Sequence, residues 1–232
     1  MSTTPIFHVR GLHGFEDNQF MIDAYDSTLP HLASLGSGGQ WGSTKFAERD
    51  NAGDRAKVVT NALRYQETGE GDPVLMFIIE AEVPSASINE VPASVRANIR
   101  TDEAGRTLLP VGTVMLSDGI YPFYVGRHFD QPALKDALEA SRDYIYVEAL
   151  ITDFRAGPWR KGAGAVLIEH SRKFARERGR RALYADAYSG NERKLLQYYE
   201  NLGFSLVDYF NAQKPDGTVW PGAVLGLVLP AK

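Results

Sequence analysis

Cysteine is absent from the 232 residues of this chain, and with it go disulfides, thiolate-bound zinc and any cysteine-linked acyl intermediate. No apolar run approaches the roughly 18 residues that a membrane span needs, and Met1 to Phe7 lack the basic region and apolar core of a leader. A soluble, cytoplasmic protein is therefore expected. Basic charge is not in excess either: 25 Lys and Arg stand against 29 Asp and Glu, for a net charge of -4 and a pI of about 5.8. Nucleic acid and membranes are thus not expected partners, which leaves small molecules and proteins. His8, His13, His31, His128 and His170 show no ligand spacing, so no metal site is expected.

What is present is a 44% hydrophobic chain, long enough to bury a substantial core as one domain over 1–232. Ile6 to Leu12 reads as a first strand, and a helical pattern follows from about Glu16 to Leu35. Gly36 to Ser43 holds four glycines and is a loop carrying Trp41. Helical character resumes near Thr44, pauses at 51–54, and continues to about Glu67 with Asp54 placed to cap it. Pro73 to Val83 is apolar on both faces at its centre, as a central strand is. The polar stretch 84–107 reads as an insertion. Leu108 to Leu116 is a strand, and Asp130 to Arg142 a short helix opened by Gln131-Pro132. Then come a strand from Tyr144 to Thr152, a helix from Ala163 to Arg178 stopped by Gly179, and a strand from Arg181 to Ala187. A helix from Asn191 to Leu202, with Gly203 past its end, precedes two last strands, Val207 to Phe210 and Ala223 to Leu229. A loop containing Lys214-Pro215-Asp216-Gly217 joins those two.

Trp159-Arg160-Lys161-Gly162-Ala163-Gly164-Ala165 joins the strand ending at Thr152 to the next helix. Glycines at a strand-to-helix turn let the backbone approach a ligand, and first-turn amides have no partner inside the helix. The site is suited to phosphate, and Arg160 and Lys161 add positive charge. It is not a P-loop, because no Gly-x-x-x-x-Gly-Lys-Ser/Thr occurs. Nor is it a dinucleotide fingerprint: a third glycine near Leu167 is missing, and only 68 residues follow Gly164.

Taken with Tyr199-Glu200-Asn201-Leu202-Gly203-Phe204, this turn resembles the GNAT acetyltransferase superfamily over about Tyr144 to Val228. In that family a Gln/Arg-x-x-Gly-x-Gly/Ala turn holds the pyrophosphate of acetyl-CoA, and a later helix ends in Tyr-Glu-x-Leu-Gly-Phe. Trp159 stands where the family has Gln or Arg. The resemblance implies an α/β fold with a GNAT-like mixed, largely antiparallel central sheet flanked by helices and splayed at the acetyl-CoA site. It also implies acetyl-CoA (coenzyme A) as cofactor and direct transfer to a small-molecule primary amine in a ternary complex. On it, Leu150, Ile151 and Thr152 hold the acyl carbonyl, Tyr199 protonates the departing thiolate, and Asn191 touches the coenzyme arm.

The residues themselves allow these roles and others. A phenol with a reference pKa of about 10 stays protonated at neutral pH and can donate to a thiolate, but Tyr199 and its neighbour Tyr198 also suit packing of a helix on a sheet. Glu148 interrupts an apolar strand, where a carboxylate is either functional or turned to solvent at an edge. If buried, its pKa rises toward the range useful for a general base. Asn191 also fits a helix N-cap. The basic run from Arg172 to Arg181 reads as a solvated face. Asp23, Asp26, Glu80 and Glu82 are acids that could face an amine. Trp41 and Trp220 lie on the two loops that carry acceptor recognition in the family, and either wall a pocket or pack on neighbours. A non-catalytic acyl-CoA-binding module is the second reading of the chain, and a homodimer is compatible with it.

Overall fold

The computed structural model describes residues 5–49, 52–127, 132–139, 142–214 and 217–230. The strands and helices run β1 (Phe7–Gly11), α1 (Asp17–Ser34), α2 (Ala52–Thr68), β2 (Val74–Glu82), α3 (Ala93–Arg96), β3 (Arg100–Thr101), β4 (Thr107–Asp118), α4 (Phe123–Gly126) and α5 (Pro132–Glu139). They continue with β5 (Tyr144–Thr152), α6 (Ala163–Glu177), β6 (Ala182–Tyr188), α7 (Lys194–Asn201), β7 (Ser205–Gln213) and β8 (Val219–Val228). The strands form one mixed sheet in the order β1-β2-β4-β5-β6-β8-β7, with β3 paired to β4. Only β5 and β6 pair in parallel among the registers described; β1 with β2, β6 with β8 and β7 with β8 are antiparallel.

The chain gathers into two compact units, and α1, β4, β5 and α6 run from one into the other. The first comprises Met1–His31, Ser43–Met115 and Ala149–Leu167. Its centre is β2, where Ile78 and Ile79 are fully buried, as the two-faced apolar run of that strand requires. Glu80 is buried in the same strand because Arg10 and Arg100 both bond its carboxylate, and Arg10 goes on to Asp17. The stretch 84–107 is better ordered than its polarity suggests. Val91 and Val95 are wholly buried, and β3 pairs Arg100 with Leu108 and Thr101 with Thr107.

The second unit comprises Leu32–Gly42, Leu116–Glu148 and Ile168–Lys232. Its β6 alternates strictly: Leu183, Ala185 and Ala187 are buried, while Tyr184, Asp186 and Tyr188 take the other face. That second face is aromatic. Tyr144, Tyr146, Phe210 and Val224 form a buried cluster with Val125 of α4 and Leu138 of α5, and Tyr121, Tyr184 and Trp220 pack against it.

Four local expectations are corrected. Among the described residues after Thr44 there is a 3-10 turn, Phe46–Glu48, and α2 runs from Ala52, so Asp54 lies inside the helix and not ahead of it. The short helix α4, opened by Pro122, was not anticipated because it is one turn long and its apolar residues show no period. The helix expected from Asn191 starts at Lys194: Asn191, Glu192 and Arg193 have φ of 52°, 55° and 61°, a left-handed stretch that a right-handed helix cannot contain. The last two strands are longer than their apolar cores because polar residues at an edge strand still pair. His128, Asp130, Gln131, Pro215 and Asp216 lie outside the described residues.

Candidate active site

The strand β5 departs from its neighbours at the place where the site is expected. In the second unit the Gly119 N–H donates to the Tyr144 carbonyl at 3.0 Å; in the first, the Asp153 N–H donates to the Val111 carbonyl at 2.8 Å. Eight steps along β4, from Val111 to Gly119, are thus matched by nine along β5, from Tyr144 to Asp153. One extra residue in β5 is a β-bulge. Gly112 permits the close approach this creates, because a Cβ there would stand 2.6 Å from the Ile151 carbonyl oxygen. Beyond the bulge the alternation turns the Ile151 N–H toward β4 and the Thr152 N–H to the opposite edge. On that edge the parallel ladder with β6 has already ended, at Val147 and Ala185. Of the expected trio, Leu150, Ile151 and Thr152, it is Thr152 whose N–H faces that edge.

After β5 the chain is fixed firmly. Asp153, fully buried, caps a 3-10 turn (Phe154–Arg160) and pairs with Arg155 at 2.8 Å; Arg155 reaches on to Asp23 at 2.8 Å. Asp23 is thereby engaged in structure, and so is Asp26, which accepts from the Phe46 N–H. Glu82 pairs with His8 at 3.0 Å. Arg160 lies over the Phe154 ring at 3.6 Å and donates to the Thr152 hydroxyl at 3.3 Å, while His31 stacks on Phe154 at 4.2 Å. Burial and the Arg160 charge hold the His31 pKa below its ordinary value. Arg160 thus folds back on β5, and Lys161 is the exposed cation of the turn. Trp159 is half-buried.

Gly162 has a φ of 90°, which favours glycine, and its carbonyl accepts the first helical bond of α6, from the Val166 N–H at 3.2 Å. The amides of Ala163, Gly164 and Ala165 lie ahead of that bond, as an anion site needs. Fifteen residues of α6 then align behind them.

The second unit holds Glu148 and Tyr199. Glu148 is half-buried; burial raises its pKa, and a hydrogen bond donated by the Ser117 hydroxyl partly offsets the rise. Tyr199 is buried in α7 with its ring edge-on to Tyr198 at 5.7 Å and to Phe204 at 5.4 Å. Burial, then Tyr198 and Asp186, push its pKa well up, so it is protonated at any physiological pH. The signature Tyr-Glu-x-Leu-Gly-Phe has a mechanical reason as well. The Phe204 N–H returns to the Tyr199 carbonyl at 3.1 Å and the Gly203 N–H to the Glu200 carbonyl at 2.9 Å, a Schellman cap that requires the positive φ of Gly203.

Asp186 was missed by sequence reasoning. Its carboxylate accepts from the Tyr146 hydroxyl at 2.9 Å and from the Tyr124 hydroxyl at 2.9 and 3.0 Å. Burial pushes its pKa up to about 6, and the Glu148 charge adds to the rise. The signal was available: Asp186 interrupts an apolar strand just as Glu148 does. Asn191 does not cap a helix; its amide donates to the Ser37 hydroxyl at 2.6 Å. Trp220 does not lie on a loop as expected: β8 already begins at Val219, and Trp220 pairs with Ala212 of β7. The glycine-rich loop is tied to this hairpin, since the Trp220 indole donates to the Gln40 carbonyl at 3.1 Å and Lys214 to the Gly39 carbonyl at 2.8 Å. Trp41, next to Gln40, is half-buried.

No family model matches the chain, and no curated protein sequence matches it. Solved structures do match. An N-acetyltransferase from Staphylococcus aureus Mu50 aligns with a TM-score of 0.55 at 14% identity, covering 97% of this chain and 99% of that one. A ribosomal-protein-alanine N-acetyltransferase from Brucella melitensis gives 0.53 at 15%, covering 96% and 99%. A GNAT superfamily phosphinothricin acetyltransferase from Sinorhizobium meliloti, in complex with acetyl-CoA, gives 0.51 at 14%, covering 96% and 88%. The fold is the GNAT fold. At these identities the likeness concerns architecture. In that architecture the GNAT-like turn Trp159 to Ala165 and the bulged end of β5 belong to the first unit, while Glu148, Asp186 and Tyr199 belong to the second. Among the described residues no group of three or more His, Asp or Glu is arranged to hold a metal, and no helix is long and apolar enough to cross a membrane.

Proposed function

We propose that this protein is an acetyl-CoA-dependent N-acetyltransferase acting on a primary amine by direct transfer. The bulged end of β5, with a backbone amide turned off the sheet beside a glycine-opened helix, is the observation that carries the reading. Acetyl-CoA, when bound, supplies the activated acyl group. The amides of Ala163, Gly164 and Ala165 and the Lys161 ammonium hold its pyrophosphate, and Gly162 lets the backbone come close. Leu150, Ile151 and Thr152 receive the acyl carbonyl, with the Thr152 N–H as the main donor. Trp159 and Asn191 complete the coenzyme contacts, and Arg160 contributes to the coenzyme site by bracing Thr152.

Glu148 takes the proton of the incoming ammonium, directly or through a water, and its raised pKa suits that task. Tyr199 gives its phenolic proton to the departing thiolate and recovers one from the newly acylated nitrogen. Trp41 and Trp220 wall the acceptor side. Acetyl-CoA dependence accords with a cytoplasmic setting. The test is thiol release from acetyl-CoA with a panel of primary amines. The account expects release that depends on the amine, and an E148Q variant in which kcat/KM falls and its acidic limb disappears. Coenzyme binding with no release for any amine would instead support an acyl-CoA-binding module.

A further inference from the structure

The chain neutralises its fully buried acids with arginine. Glu80 has Arg10 and Arg100, Asp17 has Arg10, Asp118 has Arg178 and Arg180, and Asp153 has Arg155. Glu148 and Asp186 are treated differently: among the described residues, no Lys, Arg or His pairs with either, and the groups bonded to them are the hydroxyls of Ser117, Tyr124 and Tyr146. These two acids are close enough for the Glu148 charge to act on Asp186, and each is the first residue past the end of the β5–β6 ladder. The last pair of that ladder is Val147 with Ala185. Like charges so placed on neighbouring strands are unfavourable unless a cation shares them.

The surroundings say what kind of cation. Tyr184, Asp186 and Tyr188 share one face of β6, Tyr146 bonds to Asp186, and Tyr188 meets Trp220 with ring centroids 6.0 Å apart. Aromatic faces beside two carboxylates suit an organic ammonium through cation–π attraction. A hard metal ion would want six or more oxygen ligands, and two carboxylates with three hydroxyls already bonded to them do not offer that set.

We propose that the acceptor is a dication, a primary amine whose second cationic group is held by Asp186, and that amines carrying a carboxylate are rejected. This rests on the acetyltransferase reading above and names its substrate class. Glu148 receives the reacting ammonium, and Asp186, fixed by Tyr124 and Tyr146, holds the far charge. Two negative charges with no arginine nearby repel a substrate carboxylate.

Thermal melting with α,ω-diamines of three to six carbons, the matched monoamines and the matched ω-amino acids tests the proposal without turnover. At least one diamine should raise the melting temperature, with an affinity about tenfold or more above its monoamine, and the ω-amino acids should have no effect. Asp186→Asn should lose at least tenfold of the diamine affinity while acetyl-CoA still stabilises the protein. If that variant does not fold, Tyr124→Phe carries the test, since its ring is 38% exposed and its loss should weaken diamine binding about threefold. Equal stabilisation by diamines and ω-amino acids, or full diamine affinity in Asp186→Asn, overturns the inference. Diamine binding without thiol release would sink the acetyltransferase reading and spare this one; release with ω-amino acids as readily as with diamines would do the reverse.

Discussion

At residue 199 a phenol sits in a ring cluster and is still asked to give up a proton. Its buried, protonated state is compatible with both packing and catalysis, and the two part company on substitution. Tyr199→Phe keeps the ring contacts with Tyr198 and Phe204, so stability and acetyl-CoA affinity should hardly move, whereas kcat should fall on the order of 100-fold as expected for loss of a general acid. Steady-state kinetics beside a melting curve separates the outcomes; undiminished kcat across a pH series removes Tyr199 from the chemistry. Asp186 makes a prediction of opposite character. Its folded-state pKa of about 6 lies above the ordinary carboxylate value of 3.8, so between those limits the folded state holds a proton that the unfolded chain has lost. Stability from this group is then greatest at low pH and declines as pH rises from about 4 to about 6. Asp186→Asn should flatten that decline, by on the order of 1 to 2 kcal/mol once partial exposure is allowed for. Urea melts at pH 4 and pH 7 measure it, and an unchanged difference between the two would refute the assignment.

Among the elements, the bulge in β5 and the glycine turn after it place the proposed coenzyme contacts. Gly112→Val puts a side chain within 2.6 Å of the Ile151 carbonyl, which should cost about 1 to 3 kcal/mol and weaken acetyl-CoA binding as the bulge is pushed out. Gly162→Val meets a φ of 90° that a β-branched residue resists, and should abolish coenzyme binding while α6 survives. Circular dichroism and calorimetry on both variants check these outcomes. The elements themselves were largely legible in the sequence. Strands with apolar centres, such as β2 and β5, follow from their short apolar runs and the amphipathic α6 from its period, and the Schellman cap at Gly203 is written in Leu-Gly-Phe. The bulge was not legible, because a one-residue slip leaves no trace in composition; its nearest sign was Gly112 inside a strand of branched residues. The left-handed turn at 191–193 was also hidden, since Asn, Glu and Arg carry no signal as strong as glycine for positive φ. At the site, Glu148 stood out as an acid in an apolar strand, and Asp186 met the same criterion but lay between tyrosines whose bonds to it only the fold reveals.

For the molecule as a whole, a net charge of -4 together with two acids lacking arginine partners should draw cationic acceptors electrostatically. Accordingly kcat/KM for such an amine should fall several-fold between 20 and 200 mM salt, about the range over which screening becomes effective, with kcat nearly constant. A salt-independent kcat/KM would show that the field plays no part in capture. The kinetic and coenzyme expectations presuppose that the chain binds acetyl-CoA at the turn ahead of α6. Titration calorimetry of the protein with acetyl-CoA, in parallel with its Gly162→Val variant, examines that claim directly. The account predicts saturable binding of one coenzyme per chain by the native protein and none by the variant; no heat from the native protein, or equal binding by both, would contradict it.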